Sequence, residues 1–158
     1  MNNNRKLKIG LDYHGVIDIN VAFFSSFCTE AKNHGHSICI ITGGPKVLVE
    51  EKLIQYNIKH DFVYAISDYY QALNQVIQTE NGKLIIPDEL WNNAKADFCN
   101  RNNVDLHIDD NIEYLQVFST PYCYYNQTNH KGIMSSGDEI DFRASPKQIL
   151  DKIEQILK

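Results

Sequence analysis

Short apolar runs alternate along this chain with longer amphipathic stretches, and that alternation limits the folds open to it. The runs are Leu7–Leu11, Ser37–Ile41, Phe62–Ile66, Val104–Ile108 and Tyr122–Tyr125. They are too short for core helices, and most are too continuous for strands with one wet face. Buried parallel strands read this way. Between them, apolar residues recur at helical spacing: Phe23, Phe24, Phe27, Cys28 and Ala31, then Leu90, Trp91, Ala94 and Phe98, then Ile149, Leu150, Ile153 and Ile156. The punctuation agrees. Asn33-His34-Gly35 stops the first helix, Pro45 begins the second, Asp88 is placed to cap a later one, and Ser145-Pro146 opens the last. Alternating strand and helix predicts an α/β fold, a three-layer sandwich around a five-stranded parallel Rossmann-like sheet.

With 158 residues, 43% of them hydrophobic, the chain is expected to form a single domain over residues 1–158. Residues 67–87 read as a small insertion. Within it Gln75–Gln78 and Lys83–Ile86 flank Asn81-Gly82, a hairpin signal. Residues 126–141 read as a polar loop with a solvated acidic run at Asp138, Glu139 and Asp141. Asn2, Asn3 and Asn4 read as a frayed tail.

The formal net charge is -5, which gives no electrostatic reason for non-specific binding to nucleic acid or an anionic membrane. No apolar run is long enough to span a bilayer, so no membrane association is expected. The four cysteines, Cys28, Cys39, Cys99 and Cys123, lie far apart and in apolar or amphipathic stretches. They read as reduced and structural, which implies a cytoplasmic home. The oligomeric state is not legible.

In an open parallel sheet, ligands bind beyond the carboxyl ends of the strands. Those ends carry Asp12, then Thr42-Gly43-Gly44, then Asp109-Asp110, while Lys95 lies on the helix before the fourth strand. Carboxylates are hard oxygen ligands suited to magnesium. A metal ion lets carboxylate and phosphate approach, a hydroxyl and backbone amides can hold phosphate oxygens, and an ammonium balances charge in the transition state. The inventory suits phosphoryl transfer.

These residues carry a resemblance. Asp12-Tyr13-His14-Gly15-Val16 resembles the first motif of the haloacid dehalogenase (HAD) superfamily, Asp-x-Asp-Gly-(Thr/Val). Ile40-Ile41-Thr42-Gly43-Gly44 resembles the second motif, Lys95 the third, and Leu106-His107-Ile108-Asp109-Asp110 the fourth. They stand in family order between Leu7 and Tyr125. The resemblance implies a HAD-like, minimally capped, Mg²⁺-dependent phosphohydrolase (a phosphomonoesterase) working through an aspartyl-phosphate on Asp12. It implies phosphate binding by Thr42, Gly43 and Lys95. It implies metal binding by Asp12, Asp109, Asp110 and the backbone carbonyl of His14.

His14 stands where hydrolytic members usually have Asp as general acid and base. Imidazole, with an ordinary pKa of about 6.5, can perform both tasks. Members without that Asp also include proteins that transfer or retain phosphate, so the rival expectation is a catalytically weak protein that binds a phosphorylated ligand or partner.

Each residue also has a plain structural reading. Asp12 can cap a turn, Asp109-Asp110-Asn111 can be an N-cap cluster, and Lys95 can be a solvated lysine, with Lys46, Lys59 and Lys83 as other candidates. His34-Gly35-His36 has the look of a metal pair but is better explained by a helix stop. His60 and His107 read as structural or surface residues. Tyr69, Tyr70, His130 and Lys131 are weaker candidates for substrate contact. Little room exists for a cap, so the expected site is open. Its expected partner is a phosphorylated small molecule, a nucleotide or a macromolecular phosphoester.

Overall fold

The computed structural model describes residues 5–158, and the tail at Asn2, Asn3 and Asn4 lies outside them. The chain begins with β1 (Lys8–Leu11), a wide turn at 13–17 and α1 (Val21–Asn33). His34 caps α1, and Gly35 follows with φ +81°. This is the stop expected at 33–35, since glycine enters the left-handed region without Cβ strain. Next come β2 (Ser37–Thr42), α2 (Lys46–Gln55), β3 (Phe62–Ala65) and α3 (Ile66–Ala72). The first part of the expected insertion is therefore helical, and Ile66 begins that helix instead of ending the strand.

The hairpin is present as β4 (Ile77–Gln78) and β5 (Leu84–Ile85). Helix α4 (Asp88–Arg101) follows. Asp88 does not cap it: Pro87 holds the N-cap position and Asp88 lies in the first turn, where its charge still complements the helix dipole. The chain continues through β6 (Leu106–Asp109), α5 (Ile112–Leu115), β7 (Tyr122–Asn126), β8 (Lys131–Met134) and β9 (Glu139–Asp141). It closes with α6 (Pro146–Ile156), which Ser145 and Gln148 open as a reciprocal capping box.

The main sheet has seven strands in the order β3-β2-β1-β6-β7-β8-β9. The first five in that order pair in parallel. β8 and β9 add antiparallel. This corrects the expected five-stranded sheet, and it replaces the expected polar loop at 126–141 with two strands. In those strands Gly132, Met134 and Ile140 are buried while the intervening residues face solvent. Half of a short edge ribbon is polar, which masks the alternation.

Helices cover both faces. Ile9, Leu11, Ile38, Ile40, Leu106 and Ile108 point to the face packed by α1, α2 and α6. Cys39, Ile41 and Tyr64 point to the other, packed by α3 and α4. Phe24, Tyr125 and Phe142 meet at the first face, with ring centroids 5.1–6.1 Å apart. All four cysteines are free and buried. No described helix is long and apolar enough to cross a membrane.

Gly132 is fixed by space: a Cβ there would lie 2.4 Å from Cys123 Sγ and 2.7 Å from the Phe142 ring. Overpacking of this kind costs about 1–3 kcal/mol. Gly132→Ala is expected to lower the unfolding free energy by that amount, seen as a lower urea midpoint with an unchanged slope in equilibrium denaturation.

Candidate functional site

Strand alternation decides which side chains meet. On β6, Leu106 and Ile108 enter one core, so His107 and Asp109 face α4. On β1, Ile9 and Leu11 enter that same core, so Gly10 and the following Asp12 also face α4. The Asp12 N–H donates to the Ile108 carbonyl at 3.0 Å, which sets the two strand ends side by side. Helix α4 then delivers Lys95. Its Nζ lies 3.0 Å from Asp12 Oδ2 and 2.7 Å from Asp109 Oδ2. Lys95 is buried, which removes the reading of a solvated lysine.

Asp12 Oδ1 accepts from the Tyr13 N–H at 2.8 Å, and Asp109 Oδ1 accepts from the Asn111 N–H at 2.9 Å. Asp110 sits above them, hydrogen-bonded by the Gln127 amide. Gly15, at φ +83°, gives Asp110 its space: a Cβ there would lie 2.3 Å from the carboxylate. Asn111 caps α5 by accepting from the Glu113 N–H at 3.0 Å. The N-cap reading thus holds for Asn111, while Asp109 and Asp110 have other partners.

A cavity of about 240 Å³ is lined by Asp12, His14, Gly43, Lys95, Asp110 and Trp91, among others. Five of the seven sequence candidates, Asp12, His14, Gly43, Lys95 and Asp110, line it, and Asp109 lies beneath, bonded to Lys95. Thr42 does not line it either. Its side chain is buried, and its hydroxyl oxygen accepts from the Gly44 N–H at 3.4 Å.

Charge is unevenly balanced in this cluster. Burial is the largest influence on Asp12 and raises its carboxyl to about 7; Lys95 opposes the rise, and Asp109 and Asp110 add to it. Burial also works against an ionised Asp109, yet the hydrogen bond from His107 and the Lys95 charge together hold its carboxyl well below the usual range. Burial pulls the Lys95 ammonium down, but Asp12 and Asp109 outweigh it and keep the group above its ordinary value. Asp110 is raised by burial and by Asp109. Three carboxylates share one ammonium, and their oxygens lie within 4.8 Å of one another. Such a set of hard donors with surplus negative charge could hold a divalent cation.

Two residues given no role in the site by sequence reasoning support it. His107 is fully buried and stacks on Phe118, with ring centroids 5.2 Å apart. Its Nε2 lies 2.9 Å from Asp109 Oδ2 and donates to it. Burial is the main cause lowering its pKa, so it acts as a neutral donor. The signal was the two-residue step from His107 to Asp109 along one strand face. Asp18 accepts from the Gly15 N–H at 2.7 Å and faces His14 Nδ1 at 3.4 Å. It braces the turn and the exposed His14 together, and the four-residue spacing was its only trace.

Other candidates lie elsewhere. His36 Nδ1 accepts from the Leu7 N–H at 3.0 Å, so its Nε2, 2.8 Å from Glu154 Oε1, carries the proton. That nitrogen has no lone pair for a metal, and His36 ties the start of β1 to α6. His130 Nδ1 is bonded to Tyr125 Oη at 2.6 Å, and Lys131 pairs with Glu139 at 3.0 Å. Tyr69 accepts from Arg101 at 3.0 Å, Tyr70 is buried, and His60 bonds the nearby Ile58 carbonyl at 2.8 Å.

No protein-family model matches the chain. No curated protein matches it. Among solved structures, the crystal structure of a glycosyltransferase from Rickettsia africae ESF-5 is similar over 78% of this chain, at 15% identity and a TM-score of 0.44. The chain spans about 30% of the length of that protein. Likeness at this level carries no inference about chemistry.

A carboxyl raised on folding stabilises the fold fully below its unfolded value of 3.8, and that stability is lost as pH rises to about 7. Asp109 works in the opposite sense, and its contribution is lost only as pH falls below about 4. In chelator, the thermal midpoint of the native chain is expected to fall between about pH 5 and about pH 8 more steeply than that of Asp12→Asn. Integrated over that range, the difference corresponds to about 2–4 kcal/mol, read from melting curves across it.

Proposed function

We propose that this chain is a small phosphohydrolase of the HAD type, a phosphomonoesterase that uses Mg²⁺ and forms an aspartyl-phosphate on Asp12. The observation that carries this reading is the buried ammonium of Lys95 held between carboxylates from adjacent parallel strand ends, 3.0 Å from Asp12 and 2.7 Å from Asp109. An ion pair built only for stability is better replaced by apolar groups. A cluster with surplus negative charge at the ligand-binding end of the sheet is better explained by a bound cation and a transferred phosphoryl group.

Asp12, Asp109, Asp110 and the His14 carbonyl would hold Mg²⁺, which when bound supplies charge neutralisation between the attacking carboxylate and the phosphate. A carboxylate oxygen of Asp12 attacks phosphorus, and the bond from phosphorus to the leaving oxygen breaks. The His14 imidazolium gives that oxygen its proton. The His14 imidazole then takes a proton from water, whose oxygen attacks phosphorus. The Asp12–phosphorus bond breaks, which restores the carboxylate and releases inorganic phosphate. Lys95 balances charge and positions Asp12, while Gly43 lies on the cavity wall, where its amide would donate to a phosphate oxygen. Thr42, buried behind that wall, supports Gly43 through the loop in place of a direct contact. The four buried free cysteines fit a cytoplasmic setting.

The test is phosphate release from p-nitrophenyl phosphate with Mg²⁺. Asp12→Asn is expected to reduce it by about a thousandfold or more. Undiminished release by that variant ends the nucleophile assignment, whereas phosphate binding without release by the native chain selects the binding-only reading. His107→Leu removes a hydrogen bond from a metal ligand and is expected to weaken Mg²⁺ about 10–100-fold, measured by calorimetry on the folded variant.

A further inference from the structure

We infer that the substrate carries a single phosphate on an uncharged, aromatic leaving group, and that this group binds in a cavity between α3 and the β4–β5 hairpin. The inference rests on the phosphoryl-transfer reading of the adjoining site.

The cavity, of about 330 Å³, shares Gly43 and Trp91 with the cavity that holds Asp12 and Lys95. A group esterified to a phosphate beside the Gly43 amide would project into it. The opening depends on Gly43, where an added Cβ would lie 3.1 Å from the Trp91 ring. The indole is anchored because its Nε1–H donates to Tyr114 Oη at 2.6 Å. Trp91 stands four residues before Lys95 on α4, so the two occupy one helix face. One element thus presents both the charge-balancing group and an aromatic wall.

The remaining walls define the chemistry. Val76, Leu84 and Ile86 supply an aliphatic side. In the hairpin Ile77 pairs with Ile85, and Gln78 with Leu84. Alternation then places Leu84 and Ile86 on one face and Ile85 on the other. Leu84 is 43% exposed, so its side chain is open to a bound group. The opposite side brings Ser67, Asp68 and Gln71. Ser67 donates to Asp68 at 3.0 Å, and Asp68 accepts from the Lys46 N–H at 2.9 Å, which holds the start of α2. Gln71 is left as a directional partner for a polar atom on the ring.

Charge sets the exclusions. Among the described residues lining the two cavities, Lys95 is the single lysine or arginine, and its charge is already shared by Asp12 and Asp109. A second phosphate would find no cation there and would face Asp68. The neighbouring cavity lined by His14, Leu48, Glu51 and Lys52 meets the Asp12 cavity at His14, but it is edged by charges of both signs and lacks the Gly43 and Trp91 wall.

Trp91 is the only tryptophan in the chain, so its fluorescence reads both cavities directly. The probes are orthovanadate, methylphosphonate and phenylphosphonate, each titrated with Mg²⁺. Vanadate binding tests the phosphate site alone. Phenylphosphonate is expected to bind about tenfold more tightly than methylphosphonate, the gain from burying one ring against aliphatic side chains. Leu84→Asp is expected to erase that ratio. Ile77→Asp, on the far face of the hairpin, is expected to keep it. Vanadate binding with equal affinity for the two phosphonates overturns the leaving-group site and spares the phosphoryl reading. Loss of the ratio in Leu48→Asp with retention in Leu84→Asp assigns the ring to the other cavity and also overturns the inference. Failure of all three probes to bind overturns both.

Discussion

Lys95 holds the rest of the site in register. An ammonium buried between two strands demands carboxylates at hydrogen-bonding distance, and Asp12 and Asp109 supply them at 3.0 and 2.7 Å. Removing one partner from such a set costs about 3–5 kcal/mol, although the intact set contributes little net stability. The constraint reaches into the packing. Gly10 must lack a side chain because a Cβ would press on Ile41 and His107 at 2.7 and 2.9 Å. The close approach of Gly10 leaves room for His107, and His107 in turn braces Asp109.

The acidic cluster divides its one ammonium unequally. Asp12 gains less from Lys95 than burial and its acidic neighbours remove, so its carboxyl rises, while Asp109 takes most of the stabilisation. Two chemically identical groups a few ångströms apart thus receive opposite treatment. Asp109 is the fixed anion, held by Lys95, His107 and the Asn111 N–H. Asp12 has Lys95 and the Tyr13 N–H as partners, and there burial prevails.

The parallel half of the fold was legible because its strands are buried on both faces and therefore read as apolar runs. The acids of the site were legible for a related reason: a charged residue that closes such a run can only lie at a strand end. The antiparallel strands were not legible. Lys131-Gly132-Ile133-Met134 turns one residue in two toward solvent, and the turns around it are rich in Asn, Ser and Gly. Trp91 read as a core residue because helical spacing gives a face but not its neighbours. That it walls a cavity depends on Tyr114 and Gly43, which are distant in sequence. Thr42 shows the converse limit, since sequence placed it at the correct turn but could not say that its hydroxyl would bond Gly44.

The ribbon at 131–141 also changes how the molecule meets its own copies. A parallel sheet ending at β7 would expose a five-residue strand as a template for another chain. β8 and β9 take that place, and the outermost strand is then only Glu139–Asp141, flanked by ion pairs to Lys131 and Arg143. The opposite border, β3, is four residues long. Short borders, and charges on the β9 one, resist edge-to-edge growth into fibrils. The acidic stretch that reads as mere solvation is therefore a guard against self-templated aggregation.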